Sequence, residues 1–266
     1  MDTIEGMETV ELFHRDFGRN GNPPLVLLHG LLGSSRNWMQ VGKRLGEQYD
    51  VYALDLRNHG QSPHRDGMDY AAMAADVVAW LDAQGLDAVH LVGHSMGGKT
   101  AMRLACEHPE RVRTLTVADI SPVESPPRWQ REFAAMRRLD LGSLKTRGDA
   151  ALKLEDEVPD WAFRQFLLTN LDRDPETKGF IWTVNLAELE AALPTLFAAG
   201  LEPDQHFDGP TLFLKGENSR FIRDAHLPVI GQHFPQARVE VIPKSGHNVH
   251  FDNVDAFIEQ IEAFAR

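Results

Sequence analysis

The chain has 266 residues, 42% of them hydrophobic, and a formal net charge of −12. That acidity argues against a general nucleic-acid binder, because a phosphate backbone rewards positive surface, and it disfavours anionic membranes as well. The single cysteine, Cys106, has no partner for an intrachain disulfide and no companions for a thiolate metal cluster.

Met1–Val10 carries acids and lacks the basic, apolar and small-residue succession of a signal peptide. No apolar run approaches the roughly 20 residues of a membrane span. The expected setting is therefore soluble, reducing and cytoplasmic. Thr9–Phe17 partly alternates and reads as an edge strand, and Asn20–Pro24 reads as a turn. Leu25–Leu28 is an uninterrupted apolar run, as in a strand buried on both faces of a parallel sheet. Ser34 or Ser35 caps a helix running to about Gln48, and Val51–Leu54 is a second buried strand. Tyr70–Ala83 has apolar residues at helical spacing and stops at Gly85. Ala88–Val92 is the clearest strand, followed by a helix over Lys99–Glu107 and another strand over Val112–Ala118. This tempo means βαβ crossovers, a mostly parallel sheet and an α/β fold.

From Ser121 the tempo changes. Pro122, Pro126 and Pro127 break the chain, and helices are expected over Trp129–Leu139, Ala162–Leu168 and Leu186–Phe197. No strong strand is expected before Thr211. Residues 121–207 read as a helical cap inserted into a core formed by 1–120 and 208–266. The insertion holds Trp129, Trp161, Trp182, Phe163, Phe166, Phe180 and Phe197, more apolar ring than a loop requires. Most are expected to pack the insertion and some to line a pocket. After it come a strand over Thr211–Leu214, a helix over Asp224–Phe234, a strand over Val239–Ile242 and a closing amphipathic helix over Val254–Phe264.

Gly93-His94-Ser95-Met96-Gly97 lies between a buried strand and a helix. A serine on so sharp a turn projects above the sheet, and the flanking glycines let strand and helix approach without Cβ clashes. Ser95 is the expected nucleophile. The backbone N–H of Met96 is one expected oxyanion donor, and the N–H of Leu31, in His29-Gly30-Leu31, is the other. His29 itself is expected to be a structural hydrogen-bonding group. The base is expected at His247, after the last strand, with His250 as its rival or a residue of the site mouth, and His94 as packing support. The acid is expected at Asp119, a charge set directly after an apolar strand, which is costly unless paired. Glu217 stands too early and Asp224 starts a helix. Ser219 is expected to bridge Asp119 and His247.

Other cofactor chemistries find no support. Lys99-Thr100 lacks the preceding loop glycine of a phosphate cradle, no G-x-G-x-x-G opens a helix, and the histidine pairs His59/His64 and His247/His250 are too isolated for a metal.

Together these residues resemble the α/β-hydrolase fold superfamily, and within it the YbfF-type esterases of bacteria and the mitochondrial ABHD11-like group. The match runs from Leu25 to the C-terminus. It rests on Leu28–Leu31, Asp55–Gly60, Gly93–Lys99, Asp119–Val123, Gly216–Ser219 and Gly246-His247. The resemblance implies carboxylesterase or thioesterase activity on a small-molecule substrate, no cofactor, and a helical cap. It places the acid at Asp119 and a serine at Ser219. Two positions depart from the pattern: Asn248 stands where an aromatic commonly follows the histidine, and Phe251 where alanine is common. C–C bond hydrolysis or lyase chemistry on a small carboxylate is the alternative, with Arg36, Arg57, Arg128 or Arg220 as the cation. A non-catalytic small-ligand receptor is the third class.

Overall fold

The computed structural model describes residues 8–265. Most of the N-terminal segment read for a signal peptide therefore lies outside the described residues.

Strand β1 (His14–Phe17) is shorter than its alternation predicts. Before it, Val10 N–H donates to Asp76 and Phe13 N–H to Ser62, and the Phe13 carbonyl accepts from Asp55 N–H. Strand β2 (Pro24–Leu28) leads through a 3-10 turn capped by Ser34 into α1 (Met39–Leu45). Next come β3 (Asp50–Leu54), α2 (Tyr70–Gln84), β4 (Val89–His94), α3 (Met96–Glu107) and β5 (Val112–Ala118). Gly85 closes α2 in the left-handed region at φ 67°. Helix α3 starts three residues before its expected position, because Gly97 and Gly98 pack so tightly that tertiary contact overrides their poor helix propensity.

Residues beyond β5 form α4 (Gln130–Arg138), α5 (Arg147–Lys153), α6 (Trp161–Leu168), a hairpin of β6 (Leu171–Arg173) and β7 (Phe180–Trp182), and α7 (Leu186–Phe197). The hairpin corrects the expectation of no strand before Thr211. Its strands have three residues each, too few to show an alternating pattern. This region has its own small core of Leu144, Leu154, Leu168, Leu171 and Phe180. The chain returns through β8 (Thr211–Gly216), α8 (Leu227–His233), β9 (Ala237–Ile242), α9 (Val249–Asp252) and α10 (Val254–Phe264).

The main sheet has the order β1-β3-β2-β4-β5-β8-β9, parallel except for β1. Alternation along β2 sends Leu25 and Leu27 to the core beneath α1 and α10. It sends Val26 and Leu28 to the opposite core with α2 and α3. Both faces are thus covered, as an all-apolar parallel strand requires. The carboxyl ends of β2, β4, β5 and β8 converge on one edge, where functional groups of open α/β sheets collect.

Candidate active site

Strand β4 ends at His94 and α3 begins at Met96, so Ser95 alone makes the elbow between strand and helix, at φ 53° and ψ −116°. A non-glycine residue there is strained and needs tight support. The glycines supply it. A Cβ on Gly93 would stand 2.2 Å from the Gly97 carbonyl, and one on Gly97 would stand 2.5 Å from the Leu28 carbonyl.

The Ser95 hydroxyl donates to Nε2 of His247 at 3.0 Å, and Nδ1–H of His247 donates to Oδ2 of Asp119 at 2.8 Å. Asp119 follows β5, is wholly buried, and sits at φ 50°. Its Oδ1 accepts from Gly216 N–H at 2.9 Å, and its Oδ2 accepts also from Ser219. Both oxygens of this buried carboxylate are thus hydrogen-bonded. Ser219 does not bridge acid and histidine. The histidine reaches the carboxylate directly, and Ser219 occupies a second lobe of the same oxygen.

Several groups hold the His247 loop. His94 donates from Nε2 to the His247 carbonyl at 2.9 Å. Glu217 accepts from Lys244 N–H at 2.7 Å, so its carboxylate serves the loop. Phe221 lies flat on the His247 imidazole, 3.7 Å between centroids and 16° between planes. Sequence reasoning missed this ring; its only signal was position in the loop after β8. His250 lies neither at the base position nor at a mouth. It is buried against Trp38 and His94, and burial pushes its imidazole down to about 3. Burial likewise holds His94 well below the usual range.

The loop after β2 meets the elbow where Gly30 passes Ser95; a Cβ on Gly30 would be 3.2 Å from that of Ser95. Two buried imidazoles, both kept neutral by burial, fix this loop. His29 accepts from Leu56 N–H and donates to the Gly30 carbonyl, while His59 accepts from Leu32 N–H. Leu32 is thereby held at φ 59° and Leu31 faces the site. Met96 opens α3, where first-turn amides have no partner within the helix.

A small, partly open cavity lies over Ser95. Leu31, Met96 and His247 line it together with Trp129, Leu196 and Phe197 from the region beyond β5. Trp129 is backed by Phe163, which stacks on Phe166, while Trp161 is exposed. Among the four arginines weighed above, Arg128 alone lines this cavity, with its guanidinium 4.8 Å from the Phe221 ring. Arg57 is buried on Asp76, Arg36 pairs with Asp172, and Arg220 is exposed. Lys99 also reaches the cavity wall.

The family model described as alpha/beta hydrolase fold matches residues 23–254. The chain belongs to the α/β-hydrolase fold family. It is 40% identical over 254 residues to mouse sn-1-specific diacylglycerol lipase ABHD11, spanning 91% of this chain and 80% of that protein. It is 35% identical over 250 residues to esterase YbfF of Escherichia coli (strain K12), spanning 92% of this chain and 94% of that one. Among solved structures, a marine microorganism esterase superposes with a TM-score of 0.92 at 37% identity, covering 96% of this chain and all of that one. Within this α/β-hydrolase, no described helix is long and apolar enough to cross a membrane.

Proposed function

We propose that this serine hydrolase is a carboxylesterase acting on small to medium acyl esters, with acyl thioesters as a further substrate class. The observation that carries the reading is the hydrogen-bonded chain from Ser95 through His247 to Asp119 beneath an apolar cavity. Its relatives' names, esterase and diacylglycerol lipase, support the same class.

In the proposed mechanism, Nε2 of His247 takes the Ser95 proton as Oγ attacks the substrate carbonyl. The N–H groups of Met96 and Leu31 receive the oxyanion, each worth ~3 kcal/mol in such a hole. Asp119 holds His247 with its proton on Nδ1 and stabilises the imidazolium. The neighbouring imidazoles of His94 and His250 stay neutral, so positive charge develops on His247 alone. His247 then protonates the leaving alcohol or thiol. Water, deprotonated by the same base, releases the acyl group and restores Ser95. The residues 121–207 serve as the cap over this site. The acidic surface and single cysteine suit a cytoplasmic setting.

Arg128 favours a second reading, C–C bond hydrolysis or lyase chemistry on a small carboxylate, because it offers a cation to the cavity. A ladder of p-nitrophenyl esters, acetate through palmitate, with Ser95→Ala in parallel, separates the two. Serine-dependent turnover with a chain-length optimum is expected. No serine-dependent turnover on any ester would overturn the carboxylesterase reading.

A further inference from the structure

The chain beyond β5 leaves and rejoins the core through a neck of two adjacent segments. Residues 123–125 lead out, residues 196–198 lead back, and Ser125 N–H donates to the Phe197 carbonyl at 2.8 Å. Lys99 joins both. Its Nζ donates to the Val123 carbonyl at 2.9 Å and to the Ala198 carbonyl. The same nitrogen lies 5.9 Å from the centroid of the Tyr70 ring, whose hydroxyl donates to the Leu196 carbonyl at 2.6 Å. Lys99 also belongs to the first turn of the elbow helix, where its N–H donates to the Ser95 carbonyl at 3.0 Å.

This lysine is only 2% exposed. A long flexible side chain normally carries its charge out to water, and burying an ammonium is costly. Here the head group is instead directed at main-chain carbonyls of the neck. The neck carries the cavity wall: Ser125, Arg128 and Trp129 come from or just after the outgoing segment, and Leu196 and Phe197 from the returning one.

We propose that Lys99 is a positioning residue. Its ammonium clamps both neck segments to the elbow helix and thereby sets the width of the cavity for longer acyl groups. The proposal rests on the carboxylesterase reading of this site. Charge matters to the clamp because hydrogen bonds from an ionised donor are roughly twice as strong as neutral ones. Burial lowers the Lys99 ammonium to about 8, against the opposing pull of Glu124 on the neck. Tyr70 stays neutral because burial raises its phenol, and Arg128 and His247 also line the cavity that Lys99 reaches. Raising the pH through 8 therefore removes the charge and loosens the neck.

The test compares wild type, Lys99→Met and Lys99→Arg on p-nitrophenyl acetate and octanoate, together with hydrogen exchange of the Ser125 amide. Lys99→Met is expected to raise the ratio of the octanoate KM to the acetate KM about tenfold, the scale of a lost charge-assisted hydrogen bond. It should also speed exchange at Ser125, and Lys99→Arg should restore most of both. In wild type the octanoate KM should rise between pH 7 and 9; in Lys99→Arg it should stay level. A wild-type KM ratio and wild-type Ser125 protection in Lys99→Met would overturn the proposal. If Lys99→Met does not fold, the pH series decides, and a level wild-type profile overturns it. Absence of Ser95-dependent turnover in wild type would sink the esterase reading, while exchange at Ser125 would still report on the clamp.

Discussion

Ser219 and His247 meet on one carboxylate oxygen, Oδ2 of Asp119. In the proposed mechanism the charge of Asp119 orients the imidazole, whereas Ser219 only adds a second donor to the oxygen that His247 already reaches. Asp119→Asn is therefore expected to lower kcat by roughly 10³–10⁴, through the wrong tautomer of His247. Ser219→Ala should cost far less, about tenfold, the lower end of what one hydrogen bond to a charged group contributes. Steady-state kinetics on p-nitrophenyl butyrate, normalised by fluorophosphonate titration of Ser95, measures both. Equal losses in the two variants would contradict this division of labour.

Phe221 covers one face of the His247 ring and carries Arg128 above it. Removing the ring frees the imidazole to tilt away from Ser95. Phe221→Ala should lower kcat/KM about tenfold, at the upper end of a stacked ring pair's contribution. Phe221→Tyr keeps the stacked face and should stay close to wild type. A Phe221→Ala enzyme with unaltered kcat/KM would show that the ring is only a lid on the loop.

Gly97 has no room for a methyl group, since its Cβ would press on the Leu28 and His29 carbonyls at 2.5 Å. Backbone cannot yield as a flexible side chain does. Gly97→Ala is expected to destabilise the fold by about 1–3 kcal/mol, the usual cost of overpacking. Thermal unfolding should show a Tm several degrees lower. Gly231, in α8, meets nothing within 4 Å, and Gly231→Ala is the control that should hold or raise Tm.

His29, His59, His94 and His250 are buried, and burial lowers each imidazole from its ordinary value. Unfolded, each binds a proton near pH 6.5; folded, each resists it. The unfolded state thus takes up more protons as pH falls below 6.5, and the native state loses stability with it. For His250 the window runs from 6.5 down to about 3. Each histidine adds at most about 1.4 kcal/mol per pH unit within its window. Denaturant unfolding at successive pH values from 8 to 5 should show stability falling below 6.5. His250→Gln should reduce the slope; an unchanged slope would exclude His250 from the effect.

Much of the architecture was legible because its signals are local. An all-apolar Leu25–Leu28, a glycine at each side of Ser95 and a stop at Gly85 each report the backbone they need. Helix α5 lies outside the expected helices, although Thr146 and Asp149 form a capping box at its start. The hairpin of β6 and β7 had no comparable signal. Its cohesion includes Arg173 over Phe180 at 3.8 Å, a contact across the turn that no pattern of three residues reveals.

The parallel sheet, the elbow at Ser95 and the places of Asp119 and His247 in the chain are readable from the residues alone. Each depends on residue types at short spacing, where backbone sterics leave few alternatives. The folded chain brings distant groups into one environment. It set Ser219 beside the histidine on the same oxygen, buried His250 behind His94, stacked Phe221 on His247 and placed Lys99 across the neck. Those contacts join residues far apart in the chain. Their energies come from burial and from directed hydrogen bonds, which exist only once the sheet has brought the loops to one edge.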